Sequence, residues 1–246
     1  MSEWLFDLGN TRLKAAPLRP DGGVGEVIAL DHHDDGFEAA LGDVLPARLE
    51  AAFVAAVTGP ETRLRLARAL GGRCGRISFA ASAARLGRLV VGYPRPERMG
   101  VDRFLALLAA SSDGGGPALV CGVGTALTVD LLDAGGRHLG GRIAPSPELM
   151  RQVLHQRAAH LPTQGGQYGV FATDTADALA SGCQGAAVAL VEQSMAEAVR
   201  RLEGTPRLLL HGGGAAALQP RLSGARPRPL LVLEGLAQWA RMQSAQ

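Results

Sequence analysis

Trp4-Leu5-Phe6-Asp7-Leu8-Gly9-Asn10-Thr11-Arg12-Leu13-Lys14-Ala15-Ala16-Pro17-Leu18 is an apolar run, a glycine turn and a second apolar run. Asp21-Gly22-Gly23 then turns the chain into Val24 to Leu30. Short apolar segments closed by Gly, Asn and Asp are hairpin chemistry, so three antiparallel strands are predicted. The same order returns about one domain later. Ala118 to Cys121 is apolar, Gly122-Val123-Gly124 turns, Thr125 to Leu132 runs back, and Asp133-Ala134-Gly135-Gly136 leads into His138 to Ile143. Strand, glycine turn, strand, turn, strand therefore occurs twice, as a duplication of pattern rather than of identity.

The intervening and following segments complete an α/β reading. Phe37 to Leu49 and Glu61 to Leu70 have helical spacing, Ala52 to Val57 is a strand, and Ser82 to Leu86 reads as a short helix. From Gly100, the residues Phe104, Leu105, Leu107 and Leu108 share one helical face. Ser111 to Pro117 is a Gly-rich linker, which divides the chain into domains 1–112 and 113–246. Helices are predicted over Pro147 to Ala158 and Thr175 to Glu203, with Gly182 and Gly185 as the points where the second would break. Arg207 to His211 and Leu230 to Leu233 read as strands, and Glu234 to Met242 as a closing helix. The expected architecture is two similar lobes with a cleft between them.

Composition narrows the function. At 246 residues and 47% hydrophobic, the chain can bury a sizeable core. Its apolar runs are broken well short of the ~20 residues a bilayer span needs. Acids at Glu3 and Asp7 and the lack of a basic opening argue against a signal peptide. Cys74, Cys121 and Cys183 lie far apart with no paired spacing, which fits reduced thiols in a cytoplasm. Arginines scattered among Ala and Gly, a net charge of +2 and 4% aromatics do not make a nucleic-acid surface. Lys14 is the sole lysine and follows Leu13, which excludes a P-loop and a protein-kinase strand lysine. Any ATP phosphates must be held by another device.

Four elements could supply it. Asp7-Leu8-Gly9-Asn10-Thr11 lies at a tight strand-to-strand turn: its amides and the Asn10 and Thr11 side chains can donate to phosphate, and Asp7 can hold Mg²⁺. Gly-Asn is equally good hairpin chemistry, and the motif alone does not separate the two readings. Gly122-Val123-Gly124-Thr125-Ala126 occupies the matching turn of the second half, and two facing turns can clamp one phosphate chain. His211-Gly212-Gly213-Gly214 ends a strand, where glycines would let a flat ligand such as adenine lie against backbone. Asp102 opens a helix, where a carboxylate is commonly a first-turn acid but can also act as a base toward a hydroxyl, with Arg103 beside it to pair with an anion. His32-His33-Asp34-Asp35 reads as a solvated turn, because adjacent residues of an extended segment point to opposite sides.

In motif order and over nearly its whole length the chain resembles type III pantothenate kinases, the family that includes Bvg accessory factor-like proteins. The resemblance is carried by Asp7 to Thr11, by Tyr93 with Pro96 to Arg103, and by Gly124-Thr125-Ala126 with Thr128-Val129-Asp130. Gly140 to Pro145 and Thr175 ahead of Ala178 to Gly182 complete it. It implies a two-lobed actin-like (ribonuclease H-like, duplicated) phosphotransferase fold and a homodimer. It also implies ATP- and Mg²⁺-dependent phosphorylation of pantothenate, the first step towards coenzyme A. On that resemblance Asp102 is the base. Asp7, Leu8, Gly9, Asn10, Thr11, Arg12, Leu13, Lys14 and Thr125 meet the nucleotide, and Asp7 also the metal. Tyr93, Gly100, Val101, Asp102, Arg103 and Thr175 meet pantothenate. One departure bears on a cofactor: where the family often has an Asp for a monovalent cation (K⁺ or NH₄⁺), this chain has Gly122. The rivals are a kinase of the same fold for another substrate, which the Tyr93 to Arg103 element disfavours, and a regulatory protein with weak or no kinase activity, which Asp7, Asp102, Arg103 and Thr125 disfavour.

Overall fold

The computed structural model describes residues 2–202 and 204–244; Glu203, the expected end of the long helix, lies outside it. The chain divides into two compact units, Met1–Asp113 with Leu230–Gln246, and Gly114–Pro229.

In the first unit β1 (Ser2–Leu8), β2 (Arg12–Pro17) and β3 (Ile28–Asp31) form an antiparallel meander. After α1 (Phe37–Val44), β4 (Leu49–Ala56) pairs parallel with β1. After α2 (Pro60–Gly71), β5 (Cys74–Phe79) pairs parallel with β4, giving the order β3-β2-β1-β4-β5. A small ribbon of β6 (Arg85–Leu86) and β7 (Leu89–Val90) precedes α3 (Val101–Ser112). In the second unit β8 (Ala118–Val123), β9 (Ala126–Leu132) and β10 (His138–Pro145) form the equivalent meander. α4 (Pro147–Arg157) and α5 (Thr175–Arg201) follow. β11 (Arg207–His211) then pairs parallel with β8 and, after α6 (Ala215–Leu218), β12 (Ala225–Pro227) with β11. The order β10-β9-β8-β11-β12 repeats that of the first unit, so the duplication seen as a pattern is a duplication of topology. The last element is α7 (Leu231–Ser244).

Alternation decides which side chains go where. Trp4, Phe6 and Leu8 of β1, with Leu13 and Ala15 of β2, bury against Phe37 and Leu41 of α1 and Leu66 and Leu70 of α2. Leu5 and Asp7 take the other face, the side on which α3 and α7 lie. In the second unit Leu119, Cys121, Val123, Leu127 and Val129 bury against Ala187, Val188 and Val191 of α5. Among the described residues no helix is long and apolar enough to cross a membrane.

Several expectations are corrected. Leu230 to Leu233 is not a strand: α7 begins at Leu231, and buried Leu236, Ala237 and Ala240 extend a helical face. That helix also leaves the second domain of the sequence division, because it packs along α3. A Cβ on Gly235 would sit 1.9 Å from the Leu105 carbonyl oxygen, so the two backbones are in direct contact. The Trp239 ring meets Phe53 of β4 edge-on, centroids 6.3 Å apart. α5 continues unbroken through Gly182 and Gly185. Ser82 to Leu86 is not helical: Arg85–Leu86 belongs to the ribbon, which turns at Gly87 with φ +55°. Helix α1 stops at Val44 because Leu45 precedes Pro46 and is extended. β5 and β12 are strands beyond those expected; Pro227, in the latter, sits where Pro is tolerated, on an edge strand.

Candidate active site

The β1–β2 register sets Asp7 opposite Lys14 and Leu8 opposite Leu13. Leu8 and Leu13 are fully buried in the core, so only their backbone is left for a ligand. Asp7 and Lys14 face the other way, half-buried. Burial pushes the Asp7 carboxyl up to about 6; Lys14 opposes the rise and Asp102 adds to it. Two carboxylates and the lone lysine are thus close enough to sense one another. The Asp7 carboxylate is an oxygen ligand suited to a divalent ion whose other positions phosphates and water fill, so the site fits such an ion. No group of three or more His, Cys, Asp and Glu suited to a metal occurs among the described residues.

Asp102 reaches this place through the start of α3. Gly100 caps the helix with non-helical backbone (φ −55°, ψ 134°), and no side chain serves as its cap. The Asp102 carboxylate folds back over Gly100, whose Cβ, if present, would lie 2.7 Å from Oδ1. Any larger residue at 100 would push the carboxylate away. Val101 is buried, and buried Arg103 donates from Nη1 to the Tyr93 hydroxyl at 3.1 Å with its guanidinium 5.8 Å from the Tyr93 ring centre. The sequence element Tyr93 to Arg103 is therefore one physical assembly.

The turn between β1 and β2 is closed by Gly9 donating to the Arg12 carbonyl at 3.1 Å, and Asn10, Thr11 and Arg12 are exposed. The His32-His33 segment is the expected turn, with His33 exposed, but it is also fastened to the β1–β2 turn. His32 is buried, with Nε2 2.7 Å from the Gly9 carbonyl, and His33 Nε2 lies 2.9 Å from the Asn10 carbonyl. Both histidines point the same way because they sit in a turn after β3, not in an extended segment. The available signal was their place at the end of the third meander strand, beside the first turn.

In the second unit Thr125 is exposed at the β8–β9 turn, and Thr175 is the exposed first residue of α5, whose N-cap is Asp174. Gly122 pairs with Thr128 on one side and with His211 on the other. A Cβ at 122 would lie 2.8 Å from Thr128 Oγ1 and 2.9 Å from His211 Nε2. Asp130, a nearby acid, is buried and 2.9 Å from His138 Nε2. Of the glycines after β11, Gly212 and Gly214 are required by contact with Val123; only Gly213 borders open space.

A profile of the type III pantothenate kinase family matches residues 4–197. A type III pantothenate kinase of Stenotrophomonas maltophilia (strain R551-3) is 51% identical over 245 residues, covering 100% of both chains. Among solved structures, a protein of Campylobacter jejuni described as a Baf family transcriptional activator superposes with a TM-score of 0.63 at 16% identity, covering 99% of this chain and 100% of that one. A protein of Sinorhizobium meliloti described as a 2-dehydro-3-deoxygalactonokinase gives 0.60 at 18%, covering 98% and 99%. At such identities these two likenesses show the fold, which is the actin-like kinase fold.

The raised Asp7 carboxyl has a consequence for stability. Its folded value of about 6 stands above the ordinary 3.8, so folding favours the protonated form. The cost of the charge is absent below 3.8 and fully present above about 6. Asp7→Asn removes it. In urea unfolding of the unliganded protein at pH 8, the variant should be more stable by about 1–3 kcal/mol. That gain should fade as the pH is lowered through 6 towards 4; a constant gain, or a loss, would contradict the electrostatic account.

Proposed function

The chain belongs to the type III pantothenate kinase family and phosphorylates pantothenate with ATP, the first step of coenzyme A biosynthesis; from that premise we propose that Asp102 is its general base and the Asp7–Lys14 hairpin its nucleotide-binding element. The observation that supports this reading is Asp7 facing Lys14 across the β1–β2 hairpin, with Asp102 near enough to raise the Asp7 carboxyl. Family membership brings ATP and a metal ion. We take the metal to be Mg²⁺ held through Asp7, where it would neutralise charge on the phosphates. Asp102 accepts the proton of the primary hydroxyl as its oxygen attacks the γ-phosphorus, and ADP departs. Arg103, oriented by Tyr93, pairs with the pantothenate carboxylate. Thr125 and Thr175 contribute hydroxyls to nucleotide and pantothenate respectively. Positioning and charge neutralisation supply most of the rate, as phosphoryl transfer requires.

We further propose a homodimer formed through the α4–α5 face. Val153 and Leu154 of α4 are exposed there and line an apolar groove of about 450 Å³ with Met150, Leu179 and Cys183. Val170 and Phe171, in the segment between the two helices, are exposed as well, Phe171 at 94%. Exposed apolar surface of this kind is characteristic of an interaction face.

Three outcomes test these assignments. Asp102→Asn should lower turnover by about 10²-fold or more while ATP still binds; near-normal turnover would remove Asp102 from the mechanism. Leu154→Glu should shift the mass measured by light scattering from dimer to monomer, and an unchanged dimer would place the interface elsewhere. For the monovalent cation, Gly122 offers no side-chain oxygen, its neighbouring space holds Thr128 and His211, and Asp130 is engaged by His138. Turnover in Tris buffer should therefore respond alike to KCl and to choline chloride; saturable activation by K⁺ alone would show that the ion is held in another way.

A further inference from the structure

We infer that His32 and His33 are positioning residues for the nucleotide's phosphates, aiming the amides of Asn10 and Thr11 by holding the carbonyls on the far side of the same peptide planes. The inference rests on the nucleotide reading of the Asp7–Thr11 turn and adds a device to it. A carbonyl only accepts, so each imidazole donates from Nε2, to Gly9 at 2.7 Å and to Asn10 at 2.9 Å. In a trans peptide the C=O of one residue and the N–H of the next point in opposite directions. Fixing the Gly9 carbonyl thus fixes the Asn10 N–H, and fixing the Asn10 carbonyl fixes the Thr11 N–H. Both amides then face away from the histidines, and two successive amides presented together form an anion-binding concavity.

The histidines are themselves held. Their rings lie 4.4 Å apart, and His32 meets the Phe37 ring edge-on at 6.4 Å. Arg65 of α2 donates to the His32 carbonyl at 3.0 Å and covers the Phe37 ring, and the Asp31 carboxylate accepts from the His33 amide at 2.9 Å. A turn serving only to reverse the chain would have no use for two side chains 23 residues away bonded to its consecutive carbonyls. A preorganised anion cradle does, because a free hairpin tip must otherwise be ordered when the phosphates arrive.

His33 is exposed, so His33→Ala should fold; His33→Gln retains an amide donor able to reach the same carbonyl; His32→Gln is the corresponding change at the buried site. The full-length proteins are compared by steady-state kinetics and by calorimetric titration with ADP and with adenosine. His33→Ala should raise the KM for ATP and weaken ADP binding by about threefold to tenfold, the range of one lost hydrogen bond. The KM for pantothenate and the affinity for adenosine should stay within about twofold, and His33→Gln should recover most of the loss. Equal weakening of ADP and adenosine, or an unchanged KM for ATP with unchanged ADP binding, overturns the inference. Should the parent protein bind ADP yet fail to turn over pantothenate, the kinase reading falls while the ADP and adenosine comparison still decides the role of the histidines.

Discussion

Placing a carboxylate on the sheet face that a helix covers is the constraint around which the first unit is organised. Trp4, Phe6 and Leu8 claim one side of β1 for the core, and alternation then sends Asp7 to the other. A charge there is costly, and burial holds its carboxyl far above the ordinary range. The sole lysine of the chain sits directly across the hairpin to offset it. A slip of β2 by one residue would turn Leu13 out of the core and Lys14 into it, so the hydrophobic pattern that stabilises the sheet also fixes the charge pair. Core and site share one register.

The second charge, Asp102, depends on where α3 lies. That helix is seated by α7 from the far end of the chain, through a crossing so close that Gly235 has the Leu105 carbonyl in place of a side chain. Leu105 and Asp102 are three residues apart and therefore neighbours on the helix surface. A shift at the crossing would be felt at the carboxylate within one turn. Arg103, adjacent in sequence, points elsewhere and is held by Tyr93 through both a hydrogen bond and its ring. One helix start thus folds an acid back over Gly100 and directs a guanidinium toward Tyr93.

Local chemistry made much of this legible in the sequence. Both meanders are written in hairpin turns and apolar runs, and each appears with the expected strand partners. Asp7 and Asp102, singled out by motif and position, lie close enough for one to raise the other's carboxyl. What escaped depends on long-range contact. The Leu-Val-Leu start of α7 is as good a strand as a helix until its partner α3 is known, and β5 has too little burial to show a pattern. The pairing of His32 and His33 with the first turn is signalled only by their place at the end of β3, because the carbonyls they bond lie in a different hairpin. Gly212 and Gly214 looked like ligand-facing glycines, yet Val123 is what requires them.

Duplication of the topology allows a residue-by-residue comparison of the two turns. Asp7-Leu8-Gly9 and Gly122-Val123-Gly124 occupy the same place in their sheets: Leu8 and Val123 both face an apolar core, and Asp7 and Gly122 both face away from it. The parallel neighbour of Asp7 is Ala55, a small residue that leaves room for a carboxylate. At Gly122 it is His211, whose ring fills the space where a Cβ would stand. The pairs Asp7 with Ala55 and Gly122 with His211 are two ways of filling one position, large beside small in opposite order. Gly122 is thus half of a packing pair, and a carboxylate at 122 is compatible with this sheet only if both Thr128 and residue 211 make room for it.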